Sequence, residues 1–106
     1  ACHTDTGHQL PLPAGVLATT VSAGTDAADP RDDTVVTPIT SACSSCHDGD
    51  TAKAHMVNPG GGSFATTQAA IDSGDVVEQC DICHGAGRAN DATKAAAALG
   101  SRHPQC

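Results

Sequence analysis

Apolar positions are sparse along this chain and seldom keep a period for more than one or two turns. The clearest extended signal is Val16 to Val21, answered by Thr34 to Thr37, with the acidic segment Asp26-Ala27-Ala28-Asp29-Pro30-Arg31-Asp32-Asp33 between them. β-Branched residues favour pleated backbone and the polar, proline-containing segment marks a reversal, so residues 16–37 predict a loose hairpin or an extended loop. Helical signals are short. Ser41 is placed to cap a helix that carries Cys43 to His47, broken by Asp48-Gly49-Asp50, and a further turn runs from Thr51 to Met56. Thr67 to Ile71 and Asp75 to Cys83 have helical composition, the second stopped by Gly85 and Gly87. Asp91 is placed to cap the alanine-rich stretch Ala92 to Leu99, which Gly100 ends. Pro11 and Pro13 keep residues 1–15 from being helical inside, and Gly60-Gly61-Gly62 predicts a flexible turn.

This pattern supplies little to bury. Phe64 is the sole aromatic and Met56 the sole methionine, and alanine is the commonest member of the 39% apolar fraction. Small side chains contribute little area at about 25 cal/mol per Å², so 106 residues of this composition need something besides side chains for a core. The expected fold is one domain over residues 1–106, mostly irregular with short helices and a minor hairpin at 16–37. A net charge of −7 argues against nucleic acid and anionic membrane surfaces as partners, and no apolar run is long enough to span a bilayer. Asp26, Asp29, Asp32 and Asp33 have the chemistry to hold calcium but lack the ligand spacing and glycine of a calcium loop, so a solvated acidic turn is expected.

Two stretches carry redox chemistry. Cys43-Ser44-Ser45-Cys46-His47 and Cys80-Asp81-Ile82-Cys83-His84 each place two thiols three positions apart with a histidine immediately after. That spacing lets both cysteines form thioethers to one porphyrin while the histidine reaches the iron. One such pentapeptide also suits a zinc half-site or a redox dithiol; two, each with its histidine, indicate haem c. Packed porphyrins would then supply the missing core. Ala1-Cys2-His3 is the remainder of a third copy, and Cys106 stands alone at the other end. His3, His47 and His84 each follow a cysteine, which leaves His8, His55 and His103 free. Three attached and three free histidines would serve three irons with two imidazoles each, two of these haems following from complete motifs. His55 competes with Met56 for an iron, and the count of free histidines favours His55. His8 follows His3 too closely to pass round a porphyrin edge and return to the same iron. At least one free histidine is therefore expected to serve a haem attached elsewhere. Arg88 and Arg102 are candidates for pairing with haem propionates, with surface solubility as the alternative.

With these motifs in place, the chain resembles the C-terminal haem domain of the outer-membrane decahaem cytochromes of metal-reducing bacteria, the OmcA/MtrC family. The resemblance is carried by Ile39-Thr40-Ser41-Ala42-Cys43-Ser44-Ser45-Cys46-His47-Asp48, by Ala52-Lys53-Ala54-His55-Met56 with the glycines after it, and by Cys80-Asp81-Ile82-Cys83-His84-Gly85-Ala86-Gly87-Arg88. It implies low-potential bis-histidine haems that pass electrons to extracellular acceptors. It also implies thioethers at Cys43, Cys46, Cys80 and Cys83, proximal ligands at His47 and His84, and a distal ligand at His55.

The functional expectation is extracytoplasmic electron transfer without bond-making chemistry, at the cell surface or outside it, with the periplasm as the alternative. Thioether attachment requires an oxidising compartment, so a leader is expected to have been removed or to lie outside this chain. Other redox proteins or extracellular acceptors are the expected partners. A multihaem reductase with an open iron site and a soluble periplasmic shuttle are the rival readings. The ends leave three alternatives: a fragment cut through two motifs; a haem at His3 hung from Cys2 alone, with Cys106 free or in a disulfide; or Cys106 of one copy and Cys2 of the next flanking one haem. The last is a head-to-tail contact that propagates into a filament unless its rotation closes.

Overall fold

The computed structural model describes residues 10–12 and 16–92. The hairpin forms as expected. Strand β1 (Thr19–Ser22) runs antiparallel to β2 (Thr34–Val36), pairing Thr19 with Val36, Thr20 with Val35 and Ser22 with Thr34 across an irregularity between Thr20 and Ser22. A third strand, β3 (Thr66–Thr67), adds to the other side of β2 and completes a three-stranded antiparallel sheet in the order β1-β2-β3. Two threonines have no sequence period of their own, so this strand exists only through its pairing with β2.

The acidic reversal is closed by its own carboxylates. Asp32 Oδ2 accepts hydrogen bonds from the N–H groups of Thr25 (3.1 Å) and Asp26 (2.8 Å) and from the Thr25 hydroxyl (3.0 Å). Asp26 accepts from the N–H of Ala28, and Asp29 accepts from both the backbone and the guanidinium of Arg31 across a short 3-10 turn, Pro30–Asp32. The hydrogen bond from the Arg31 side chain holds the Asp29 carboxyl below its ordinary range. Asp26, Asp29 and the Oδ2 of Asp32 are thus engaged within the turn, while Asp32 Oδ1 is buried without a hydrogen-bond partner.

Helix α1 (Pro38–Ser44) begins earlier than the sequence reading placed it. Pro38 sits where its fixed φ suits a first helical turn, Thr37 is the extended residue before it, and Ser41 lies inside, its hydroxyl bonded to that of Thr19. The helix also stops short of His47. Cys46 and His47 follow in a turn whose N–H groups both return to the Cys43 carbonyl, at 3.3 and 2.9 Å. Helix α2 (Asp50–Val57) carries His55 as expected. Thr67 starts helix α3 (Gln68–Ser73) as its N-cap, its hydroxyl accepting from the Ala70 N–H at 3.2 Å, and Gly74 ends it in the left-handed conformation at φ 83°.

The helix expected over Asp75 to Cys83 shrinks to α4 (Asp81–His84). Asp75 and Val76 instead bond back to the Ala70 carbonyl at the end of α3, and the next residues are drawn to distant segments: the Gln79 N–H donates to the Gly60 carbonyl at 2.8 Å, and Glu78 reaches α1. Nor is the glycine run a flexible turn. The N–H groups of Gly60, Gly61 and Gly62 bond the carbonyls of His55, Val57 and Met56, capping the end of α2. Gly61 has φ 75° with the Val77 carbonyl 2.5 Å from where a Cβ would lie, and a Cβ on buried Gly62 would overlap the Thr40 hydroxyl. Glycine is needed there because α1, α2 and the segment before α4 cross without room for a side chain.

Among the described residues, the buried apolar side chains are Leu10, Val35 and Met56, beside the buried hydroxyls of Thr37 and Thr40. That is a small core, as the composition implied. No helix among the described residues is long and apolar enough to cross a membrane. Of the helix expected over Ala92 to Leu99, only its first residue is described; Asp91 is buried and accepts from the Gly87 N–H at 2.8 Å.

Candidate functional site

Both complete motifs lie at helix ends, and one side chain ties them together. Cys43 is in the last turn of α1, while Cys80 immediately precedes α4, which carries Cys83 and His84. The Glu78 carboxylate, two residues before Cys80, accepts four hydrogen bonds from the start of α1. They come from the Ile39 N–H (2.7 Å), the Thr40 N–H (2.6 Å), the Thr37 hydroxyl (2.8 Å) and the Thr40 hydroxyl (2.7 Å). A helix start leaves its first N–H groups without partners inside the helix, and here a residue 38 or more positions away supplies them. Sequence reading missed Glu78 because no local pattern announces a cap that arrives through tertiary structure.

Among the described residues, Cys43, Cys46, Cys80 and Cys83 form no disulfide with one another. Burial pushes the Cys43 thiol up from its ordinary value, with the Glu78 charge and Cys46 adding to the effect. Cys80 is pushed up to about 11, again first by burial and then by the charges of Glu78 and Cys43. The two motifs are therefore close enough for their leading cysteines to influence each other. Cys80 Sγ also lies 3.8 Å from the Gly60 carbonyl, the same oxygen that accepts from Gln79. Among the described residues, no three His, Cys, Asp or Glu side chains converge on a common metal position.

His55 and His84 meet although they are 29 positions apart in sequence. Their ring centroids are 6.0 Å apart and their planes nearly perpendicular, at 83°. His84 Nδ1 lies 2.8 Å from the Asn90 carbonyl oxygen. A carbonyl can only accept, so Nδ1 donates, and in the neutral ring this tautomer leaves the Nε2 lone pair available, the form in which imidazole binds a metal. The loop that delivers Asn90 is pinned in turn, by the Asn90 N–H on the Cys83 carbonyl at 2.9 Å and by Asp91 on Gly87. Met56, the rival ligand beside His55, is buried in the core, while His55 is exposed and faces His84. His47 is exposed in the turn after α1.

Large apolar side chains stand exposed around these groups: Val57 two residues after His55, Val77 just before Glu78, and Ile82 inside the second motif. This donor set fits haem c: paired thiols, imidazoles with a free nitrogen, and apolar surface still in contact with water. Arg88 is exposed. Cys2, His3, His8, Arg102, His103 and Cys106 lie outside the described residues, and with them the third iron, the head-to-tail junction and the expected separation of His8 from His3.

The family model for outer membrane cytochromes of the MtrC/MtrF-like type, domains II/IV, matches residues 1–96. Searches of curated proteins and of solved structures returned no significant match.

Proposed function

Because the chain belongs to the MtrC/MtrF-like outer membrane cytochromes, an extracytoplasmic electron-transfer family, we propose that residues 1–106 form one electron-conducting c-type domain in which His55 and His84 grip the same iron. Haem, when bound, supplies the one-electron redox step. The chain's own residues do the rest. Cys43 with Cys46 and Cys80 with Cys83 provide the thioethers, His47 and His84 the proximal imidazoles, and the Asn90 carbonyl fixes the ring of His84.

The separation of His55 from His84 carries this reading. An imidazole nitrogen binds a first-row metal ion at about 2.1 Å and the ring centre lies roughly 1.1 Å further out, so two imidazoles holding one ion between them would stand about 6.4 Å apart between centres. The observed 6.0 Å is close to that spacing. His55 then serves not the motif that precedes it but the one that follows. His47 is left to find its partner in His8 or His103, which keeps the expected stoichiometry at three bis-histidine haems. With both positions of each iron filled by protein, substrate reduction at an open iron is disfavoured and electron conduction favoured.

The test uses the secreted, haem-loaded protein. Intact mass should show three haems, and two would remove His3 from the ligand set. His55→Ala should convert one haem to high spin in electron paramagnetic resonance. In a Cys80→Ala/Cys83→Ala background, where that haem cannot attach, the same substitution should leave the remaining low-spin signals unchanged. A new high-spin signal in that background would assign His55 to the haem of Cys43 and Cys46 and overturn the pairing.

A further inference from the structure

Glu78 caps α1 in a way that a neutral side chain could have managed. Amides at a helix start are commonly satisfied by the hydroxyl of the residue before it, and Thr37 occupies that position, yet its hydroxyl makes no cap bond and donates to Glu78 instead. The chain has put a carboxylate at this point, half-buried, between the helix that ends in one cysteine pair and the segment that opens the other. Its four short hydrogen bonds fix the charge in place.

We infer that Glu78 is a positioning residue that sets the reduction potentials of both described haem sites at once, holding them low with one fixed negative charge. The physical reason is the change of charge on reduction. A ferric porphyrin gains one electron from the redox partner and becomes less positive by one unit, so a nearby carboxylate stabilises the oxidised member of each couple and disfavours the reduced one. The charge acts on both motifs: it raises the thiols of Cys43 and Cys80 alike, second only to burial at each. Sharing one charge also moves the two potentials together, which keeps the step between neighbouring centres level while lowering both.

The inference rests on the assignment of haem to the two motifs, and the experiment separates the two. Haem content of the wild-type protein by intact mass and Soret absorbance tests the assignment; fewer than two haems sinks it. Potentiometric titration of the loaded protein tests Glu78. Glu78→Gln keeps the shape and an accepting oxygen but removes the charge, and should raise the potentials of two haems. Thr40→Val keeps the charge but withdraws one hydroxyl that partly offsets it, and should lower the same two. Opposite signs are the signature of charge, because a merely structural role would shift both variants in one direction or change haem yield alone. Full haem content with potentials unmoved in Glu78→Gln overturns the inference. Should Glu78→Gln fail to mature, Thr40→Val decides: a downward shift supports the role of the charge, and no shift or an upward one overturns it.

Discussion

Replacing Glu78 by alanine should loosen the domain more than any ordinary cap substitution, and the hydrogen bonds give the size. Two of its four bonds satisfy amides at the start of α1, on residues Ile39 and Thr40. Removing a capping acceptor costs about 1 kcal/mol per helix start, and two amides make that about 2 kcal/mol. The hydroxyls of Thr37 and Thr40 lose a charged acceptor while remaining buried. Each is worth about 0.5–1 kcal/mol here, below the usual range for a bond to a charged group because the half-buried Glu78 leaves a path for water. The expected loss is about 3–4 kcal/mol. Thr67→Ala supplies the yardstick, since Thr67 caps α3 through a single bond to Ala70 and should cost about 1 kcal/mol. Denaturant unfolding of both haem-loaded variants, followed by far-ultraviolet circular dichroism, compares them on one scale. If Glu78→Ala loses no more than Thr67→Ala, the four-bond junction does not stabilise the fold and the reasoning fails.

The other predictions concern separate parts of the chain. Gly62→Ala should destabilise by about 1–3 kcal/mol through overpacking against Thr40, and an unchanged unfolding midpoint would show that the crossing has slack. In the haem-free chain the Cys80 thiol, raised to about 11 from 9.0, is held neutral by the fold. Its contribution to stability is therefore complete below pH 9.0 and lost as pH rises toward about 11. Alkylation at pH 9 should accordingly label exposed Cys83 well before Cys80, and equal rates would mean that the site is not formed before attachment. Asp32→Ala should loosen the turn between β1 and β2 by about 1 kcal/mol, visible as faster amide exchange at Thr25 and Asp26, while millimolar calcium should leave the wild-type melting temperature unchanged. A calcium-dependent rise would reinstate the cation site.

What the sequence made legible was chemistry and short-range structure. The paired motifs, the valine and threonine segments of the hairpin and the turn that presents His55 all have local signals. The errors fall where long-range contacts decide. Asp75 to Cys83 has a helical composition, but Gly74 closes α3 and the bonds of Glu78 and Gln79 to α1 and Gly60 outweigh that weak preference. Ser41 resembled a cap, although Pro38 three positions earlier carried the stronger signal for a helix start. The glycines looked flexible because lack of a side chain suits both freedom and close contact, and only the neighbours tell which. The meeting of His55 with His84 lay beyond local reading too, because 29 positions separate them.

The bonds from Glu78 to α1 also bear on how such domains can be lengthened or recombined. The segment from Thr37 to His84 contains two Cys-X-X-Cys-His words, yet neither is a self-sufficient cassette, because the start of the helix of the first is capped by a residue that belongs to the approach to the second. A gene splice or duplication that cut between residues 47 and 78 would separate a helix from its cap. New haem units would therefore be inherited by addition on either side of this pair, and the pair itself would travel between proteins as one indivisible piece.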